Sequence, residues 1–204
     1  MARTPTEAIN SYITDMLSLE EHIQKAINAQ LEDFKDDYPQ VTQELRGFTG
    51  QIQSHISTLK GLADARQATA GGVSEAIKRA GSTVAGLGAA AIDLVRTEKL
   101  PKNLRDDYTA FSLATVGYLM LNTTALSLND QETAQIASRF LKDYARMTMT
   151  LQHTIPAATI RFLREDGLPA REEVLQEVQQ NLRSAWTEQS DQVPDVNQVN
   201  SNRL

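Results

Sequence analysis

The sequence predicts an all-α fold, a bundle of four long helices with a long helical crossover and a C-terminal helical extension. Three observations predict it. Apolar residues recur at helical spacing along each long segment, and no stretch shows the alternation of a half-buried strand. About 35 residues rich in small side chains also separate the first pair of long helices from the second.

The first helix is predicted from Thr4 to Phe34, with Ile9, Ile13, Met16, Ile23, Ile27, Leu31 and Phe34 on one stripe. Thr4, Pro5 and Glu7 give it an N-cap, a first-turn proline and an acid placed for a capping box. Asp36, Asp37, Tyr38 and Pro39 break it, and a second helix from Val41 to about Ala68 repeats the period through Leu45, Phe48, Ile52, Ile56, Leu59 and Leu62. So short a break implies an antiparallel hairpin. From Ala70 to Arg105 lie Gly71, Gly72, Gly81, Gly86 and Gly88, and the segment reads as a crossover with small-residue helices at about 73–80 and 83–97. The run from Gly81 to Gly88 lacks the Gly-Lys-Ser/Thr ending of a phosphate-binding loop and follows no strand, so it reads as close packing.

The third helix is predicted from about Leu104 to Leu128. Its centre (Phe111, Leu113, Ala114, Val116, Tyr118, Leu119, Met120, Leu121) is apolar all round, which predicts the most buried helix of the set. Asn129 and Asp130 stop it, and Asp130 caps a fourth helix from Gln131 to about Thr154, beyond which Pro156 bends or restarts the chain. A short helix from Ala157 to Arg164 ends at Asp166 and Gly167, and Pro169 opens an acidic helix through about Trp186. The polar remainder is expected to stay disordered unless a partner orders it. The predicted division is a bundle over 1–155, a helical extension over 156–187 and a tail over 188–204. Two antiparallel helices, a long crossover and two more long helices make the ferritin-like arrangement of a four-helix bundle.

Composition narrows the chemistry. The net charge of −6 argues against non-specific nucleic-acid binding, and the basic residues are scattered. No cysteine is present, which removes disulfide frameworks, thiol nucleophiles and Cys-ligated metal, and three histidines leave room for one metal site at most. The least polar stretch, 83–95, is too short to span a bilayer and contains Asp93, so no transmembrane segment is expected and a cytoplasmic setting is the default. With one Arg, a Pro and an acid and no apolar run, residues 1–7 are not expected to act as a signal peptide.

Glu20 is the most informative residue of the first helix. Its spacing from Met16, Ile23 and Ile27 puts a carboxylate on the apolar stripe, where it is a helix-edge group reaching solvent, a core polar contact or a metal ligand. His55 sits in the same way among Ile52, Ile56 and Leu59, and the hairpin register predicts that it faces Glu20. His22 reads as a surface residue and His153 as a group near the end of the fourth helix. Asp106, Asp107 and Asp130 all read as helix caps.

The segments YITDMLSLEEHI, QSHISTLK and DDYTAFSLATVGYLMLNTTALSLND resemble the bacterial ferritin-like stress proteins of the YciE/YciF type over about Ile9 to Ile155. That resemblance implies a four-helix bundle, often dimeric, with a di-iron carboxylate centre in its core. Glu20 matches the first-helix carboxylate, His55 the second-helix histidine, and Asp143 stands where a fourth-helix glutamate is implied. Ile52, Ala114 and Arg146 or Met147 stand where the remaining ligands are implied, so the centre reads as degenerate and no cofactor is expected, iron being the alternative.

The function expected from these readings is non-enzymatic: a stress-associated or structural bundle that acts by self-association, as a homo-oligomer, or by binding a protein partner. Leu168, Val174, Leu175, Val178, Leu182 and Trp186 line one side of the C-terminal helix, a face that reads first as packing along the chain's own bundle and otherwise as a surface for such a partner. The alternative is a metal-binding oxidase or iron-handling protein with an atypical site at Glu20, His55 and Asp143. A third reading puts a small apolar ligand in space left by Ala114 and Gly117.

Overall fold

A computed structural model of the chain describes residues 3–34, 37–70 and 99–190. Its elements are α1 (Pro5–Phe34), α2 (Pro39–Ala70), α3 (Lys99–Ser127), α4 (Gln131–Glu165), a single 3-10 turn at Glu172–Val174, and α5 (Leu175–Ser190). The protein is an all-α helical bundle, with no strand among the described residues. None of the described helices is long and apolar enough to cross a membrane. The crossover helices expected at 73–80 and 83–97, and residues 191–204 of the tail, lie outside the described residues. The chain divides into two compact units at Thr154 and Ile155.

In the first unit the predicted caps close the helix ends. The Glu7 amide donates to Thr4 Oγ1 at 3.2 Å while the Thr4 amide donates to Glu7 Oε2 at 2.8 Å, so two end-of-helix donors are satisfied reciprocally. At the far end of α3, Asn129 takes a φ of 60°, and the Asp130 amide reaches the Ala125 carbonyl at 2.8 Å. Asp130 then accepts the Thr133 amide at 3.0 Å and opens α4. Arg66 pairs with the same carboxylate. Burial raises the Asp130 pKa, but the Thr133 amide and the Arg66 guanidinium outweigh it and hold the group below its ordinary value.

These contacts also fix the direction of each helix. Gln24 of α1 bonds Gln53 of α2 at 2.8 Å, and Arg66 near the end of α2 reaches back to Asn10 near the start of α1 at 2.6 Å. Arg66 also meets Asp130 and Thr133, where α3 ends and α4 begins. At the opposite end, Gln30 meets Asp107 and Gln152 meets Tyr108. The first and second helices are therefore antiparallel, whereas α2 and α3 run the same way, which places Ala70 and Lys99 at opposite ends of the unit.

The core is the predicted stripes turned inward. Ile9, Ile13, Met16, Ile23 and Ile27 of α1 are buried with Leu45, Ile52, Ile56 and Leu59 of α2, and α1 also packs along α3. Each such side chain contributes about 1.5–3 kcal/mol on full burial. Gly117 is where α3 comes close to α1: a Cβ added there would meet the Met16 sulfur head-on and its methyl at 3.1 Å. Gly117→Ala is therefore expected to cost about 1–2 kcal/mol, because displacement of Met16 exceeds the roughly 1 kcal/mol that alanine contributes to a helix. In a Met16→Ala background the same change should become neutral or stabilising. Denaturation of the four proteins of this cycle measures the difference.

Two expectations for α3 are corrected. The helix is not buried all round: Leu113, Val116, Leu119, Met120 and Leu126 are each about half exposed, because α3 turns only the Phe111, Ala114, Tyr118, Leu121, Ala125 face inward. Nor does Asp107 cap it. The helix starts earlier, at Lys99, which leaves Asp107 inside it and buried, accepting from Gln30 Nε2 at 2.7 Å.

In the second unit, Pro156 neither ends nor restarts a helix. It lies within the 35 residues of α4, where the one hydrogen bond it removes is outweighed by those on either side. His153 is accordingly mid-helix rather than near a C-terminus. Helix α4 stops at Gly167, whose φ of 79° suits glycine, with the Leu168 amide on the Leu163 carbonyl at 2.9 Å. The acidic helix begins at Leu175 rather than at Pro169. Arg164 goes with the delay: it donates to the Ala170 carbonyl at 2.8 Å and pairs with Glu172, pinning the turns between α4 and the 3-10 turn.

Candidate functional site

One helix phase on each of four helices converges on Glu20. The residue is fully buried on α1, and His55 of α2 is 2% exposed. His55 Nδ1 lies 3.1 Å from Glu20 Oε1, the contact the hairpin register predicts. Tyr118 of α3 donates its hydroxyl to the same oxygen, and Tyr144 of α4 donates to Glu20 Oε2 at 2.5 Å. Both oxygens of a buried carboxylate are thus met by donors from three other helices, which is what makes its burial tolerable.

The cluster continues through the histidine. His55 Nε2 lies 3.3 Å from Asp143 Oδ2, and Asp143 is 16% exposed. On its outer side Asp143 meets Arg146 Nη1 at 3.5 Å. Each ring nitrogen of His55 thus faces a carboxylate oxygen of a different helix. The ring is clamped by Phe140, stacked on it at 3.8 Å between centroids. Tyr118 and Tyr144 stack on each other at 5.8 Å. Burial, and then the charge of Glu20, push both tyrosine pKa values well above 10, so both stay protonated as donors.

The structure brings together Glu20, His55 and Asp143, but as a chain rather than around a point. The imidazole stands between the carboxylates and presents a different nitrogen to each. Among the described residues no group of three or more His, Cys, Asp or Glu side chains is arranged to hold a metal ion. Of the other positions that the family resemblance implies as ligands, Ile52, Ala114 and Met147 are buried as core and Arg146 turns a positive charge to Asp143. The donor set does not fit a di-iron centre. His22 and His153 are not part of the cluster.

Sequence reasoning missed the donors. Tyr144 falls on the α4 stripe Ala137, Phe140, Met147, Leu151, and Tyr118 on the α3 stripe Phe111, Ala114, Leu121, Ala125, all buried. A tyrosine on such a stripe needs a partner for its hydroxyl, and the lone carboxylate on the α1 stripe was the group to pair with it. The apolar-ligand reading loses part of its volume, since Met16 occupies the space beside Gly117.

Comparison with known proteins adds fold alone. No protein-family model and no curated protein matches the chain. A crystal structure of a protein from Xanthomonas campestris pv. campestris str. ATCC 33913 superposes with a TM-score of 0.64 at 17% sequence identity, covering 80% of this chain and 99% of that one. At that identity the likeness is one of fold.

Proposed function

We propose that this protein is a ferritin-like bundle that acts by association, with itself or with a protein partner, and not by metal chemistry or catalysis. The observation that carries the reading is the closed state of the Glu20 cluster, in which both carboxylate oxygens and both His55 nitrogens are already engaged by side chains of the chain itself. Three donors crowd Glu20, and a metal ion or a substrate proton has to displace one of them or reach the acceptor position left on Oε2. The parallel run of α2 and α3 supports the ferritin-like part, since that fold is the bundle with one long crossover. A stress-associated or structural role goes with the sequence resemblance. In the second unit, exposed Val178 and Trp186 on α5 support a protein partner.

The test is anaerobic Fe(II) titration of the full chain, purified without chelators and followed by calorimetry and elemental analysis. The expected result is no stoichiometric iron. One or two equivalents of bound iron, lost in His55→Ala and weakened in the milder Asp143→Asn, would overturn the reading in favour of an iron-handling protein.

A further inference from the structure

The outward face of α3 differs from those of its neighbours. Exposed charged side chains stand on the other long helices of the first unit: Glu21 and Lys25 on α1, Lys60 on α2, and Arg139, Lys142 and Arg146 on α4. From Tyr108 to Asn129 the chain carries no charge at all. Leu113, Val116, Leu119, Met120 and Leu126 project there instead, between 46% and 53% exposed, on one arc over about 20 Å of helix. The hydroxyls between them are satisfied, with Ser112 Oγ donating to the Tyr108 carbonyl at 2.8 Å and Thr123 Oγ1 to the Leu119 carbonyl at 2.9 Å. Covering this face therefore strands no donor.

The topology of the chain supplies an occupant. Arg66, near the end of α2, meets Asp130 and Thr133 where α3 ends, so Ala70 lies at one end of the unit and Lys99 at the other. Residues 71–98 join the two and arrive at the first residue of α3 itself. The span is about 42 Å, the length of α3, and 28 residues supply about that length even when wound as a helix. Phe111, Tyr118, Phe140 and Tyr144 fill the core, which leaves the link a path along the outside of the bundle and none through it. Its composition matches one outside face. Residues 80–92, AGSTVAGLGAAAI, carry no charge, while Arg79 and Asp93 bound them. As a helix this run would cover about 20 Å, the length of the apolar face. Of its 13 residues eight are Gly or Ala, which leave room for the large side chains of α3 to seat between them.

We infer that residues 71–98 lie along the outward face of α3, with the uncharged run 80–92 over Val116, Leu119 and Met120. Laid on α1, α2 or α4, the same run would desolvate the charged groups there, a cost that no group within it offsets. Tethering decides between this occupant and a separate chain. A segment joined to both ends of the unit has an effective concentration near the millimolar range, far above the micromolar level of a free partner. The inference goes beyond the association reading and directs it elsewhere, because a covered α3 leaves the exposed Val178 and Trp186 of α5 for a partner.

Thiol labelling of the full chain tests the inference, since a protein without cysteine reports only the thiol introduced. Leu119→Cys is expected to react about tenfold more slowly than Met149→Cys, which stands at an exposed site on α4. The protection should be the same at low and high micromolar protein, and the added changes Val84→Asp/Leu87→Asp should remove it. Benzoylphenylalanine in place of Leu119 should join, on irradiation, to residues 71–98 of the same chain, as mapped by mass spectrometry. Equal labelling of the two thiols would overturn the inference. So would protection that grows with protein concentration or survives the double change, or a crosslink that reaches a second chain or misses residues 71–98. None of these outcomes alters the iron titration, so the two readings fail separately.

Discussion

Glu20→Ala is expected to lower the unfolding free energy by about 4 kcal/mol, the largest effect of any single substitution in the core. The change removes one acceptor group and leaves three donors facing a void: the Tyr118 hydroxyl, the Tyr144 hydroxyl and His55 Nδ1. A buried donor without a partner costs about 1–3 kcal/mol. Relaxation around the site keeps the total below the simple sum. Glu20→Gln retains a carbonyl of the same shape and should cost roughly half as much, with one tyrosine rotating to accept from the new amide. Urea denaturation of the two variants beside wild type measures both. Equal losses would show that shape, and not the carboxylate, matters at this position.

The second large effect is a dependence on pH centred on Asp107. This carboxyl is buried against Gln30, and burial lifts its pKa from 3.8 to about 7, against the lowering effect of the Gln30 hydrogen bond. Two buried oxygens there, Gln30 Oε1 and Asp107 Oδ2, have no hydrogen-bond partner. A proton on Asp107 supplies a donor to this pair of side chains. Between about pH 4 and pH 7 the folded protein holds that proton while the unfolded chain has released it. The contribution of Asp107 is therefore fully present below pH 4 and falls as pH rises, by about 1.4 kcal/mol per unit, towards a total near 4 kcal/mol above pH 7. Asp107→Asn has no such titration, and its amide provides a donor at all pH values while its carbonyl still accepts from Gln30. The variant should be more stable than wild type at pH 8 by several kcal/mol, with the gap closing towards pH 5. Denaturation curves for the two proteins at pH 5, 6, 7 and 8 check this, and parallel pH profiles would contradict it.

Periodicity made the helices and the Glu20–His55 contact legible, because a hairpin register is a local property of two adjacent segments. The capping box at Thr4 and Glu7 and the stop at Asn129 were legible for the same reason. The α3 face was misread: an apolar helix centre looks the same in sequence whether its far side meets the core or is left bare. Asp107 was misread because a boundary shifted by one turn moves a residue from cap to helix interior. The late start of α5 goes with Arg164 reaching Ala170 and Glu172, which no propensity records. Tyr118 and Tyr144 come from the second helix pair, so their meeting at Glu20 depends on tertiary packing that a stripe alone does not specify.

The central claim is that Glu20 is held by tyrosine and histidine rather than by metal. Anomalous scattering at the iron edge, from crystals of the full chain grown with Fe(II), tests it most directly. The account predicts no peak among Glu20, His55 and Asp143, with the hydroxyls of Tyr118 and Tyr144 within hydrogen-bond distance of the Glu20 oxygens. A peak within coordinating distance of Glu20 and His55, with either tyrosine displaced, would contradict it.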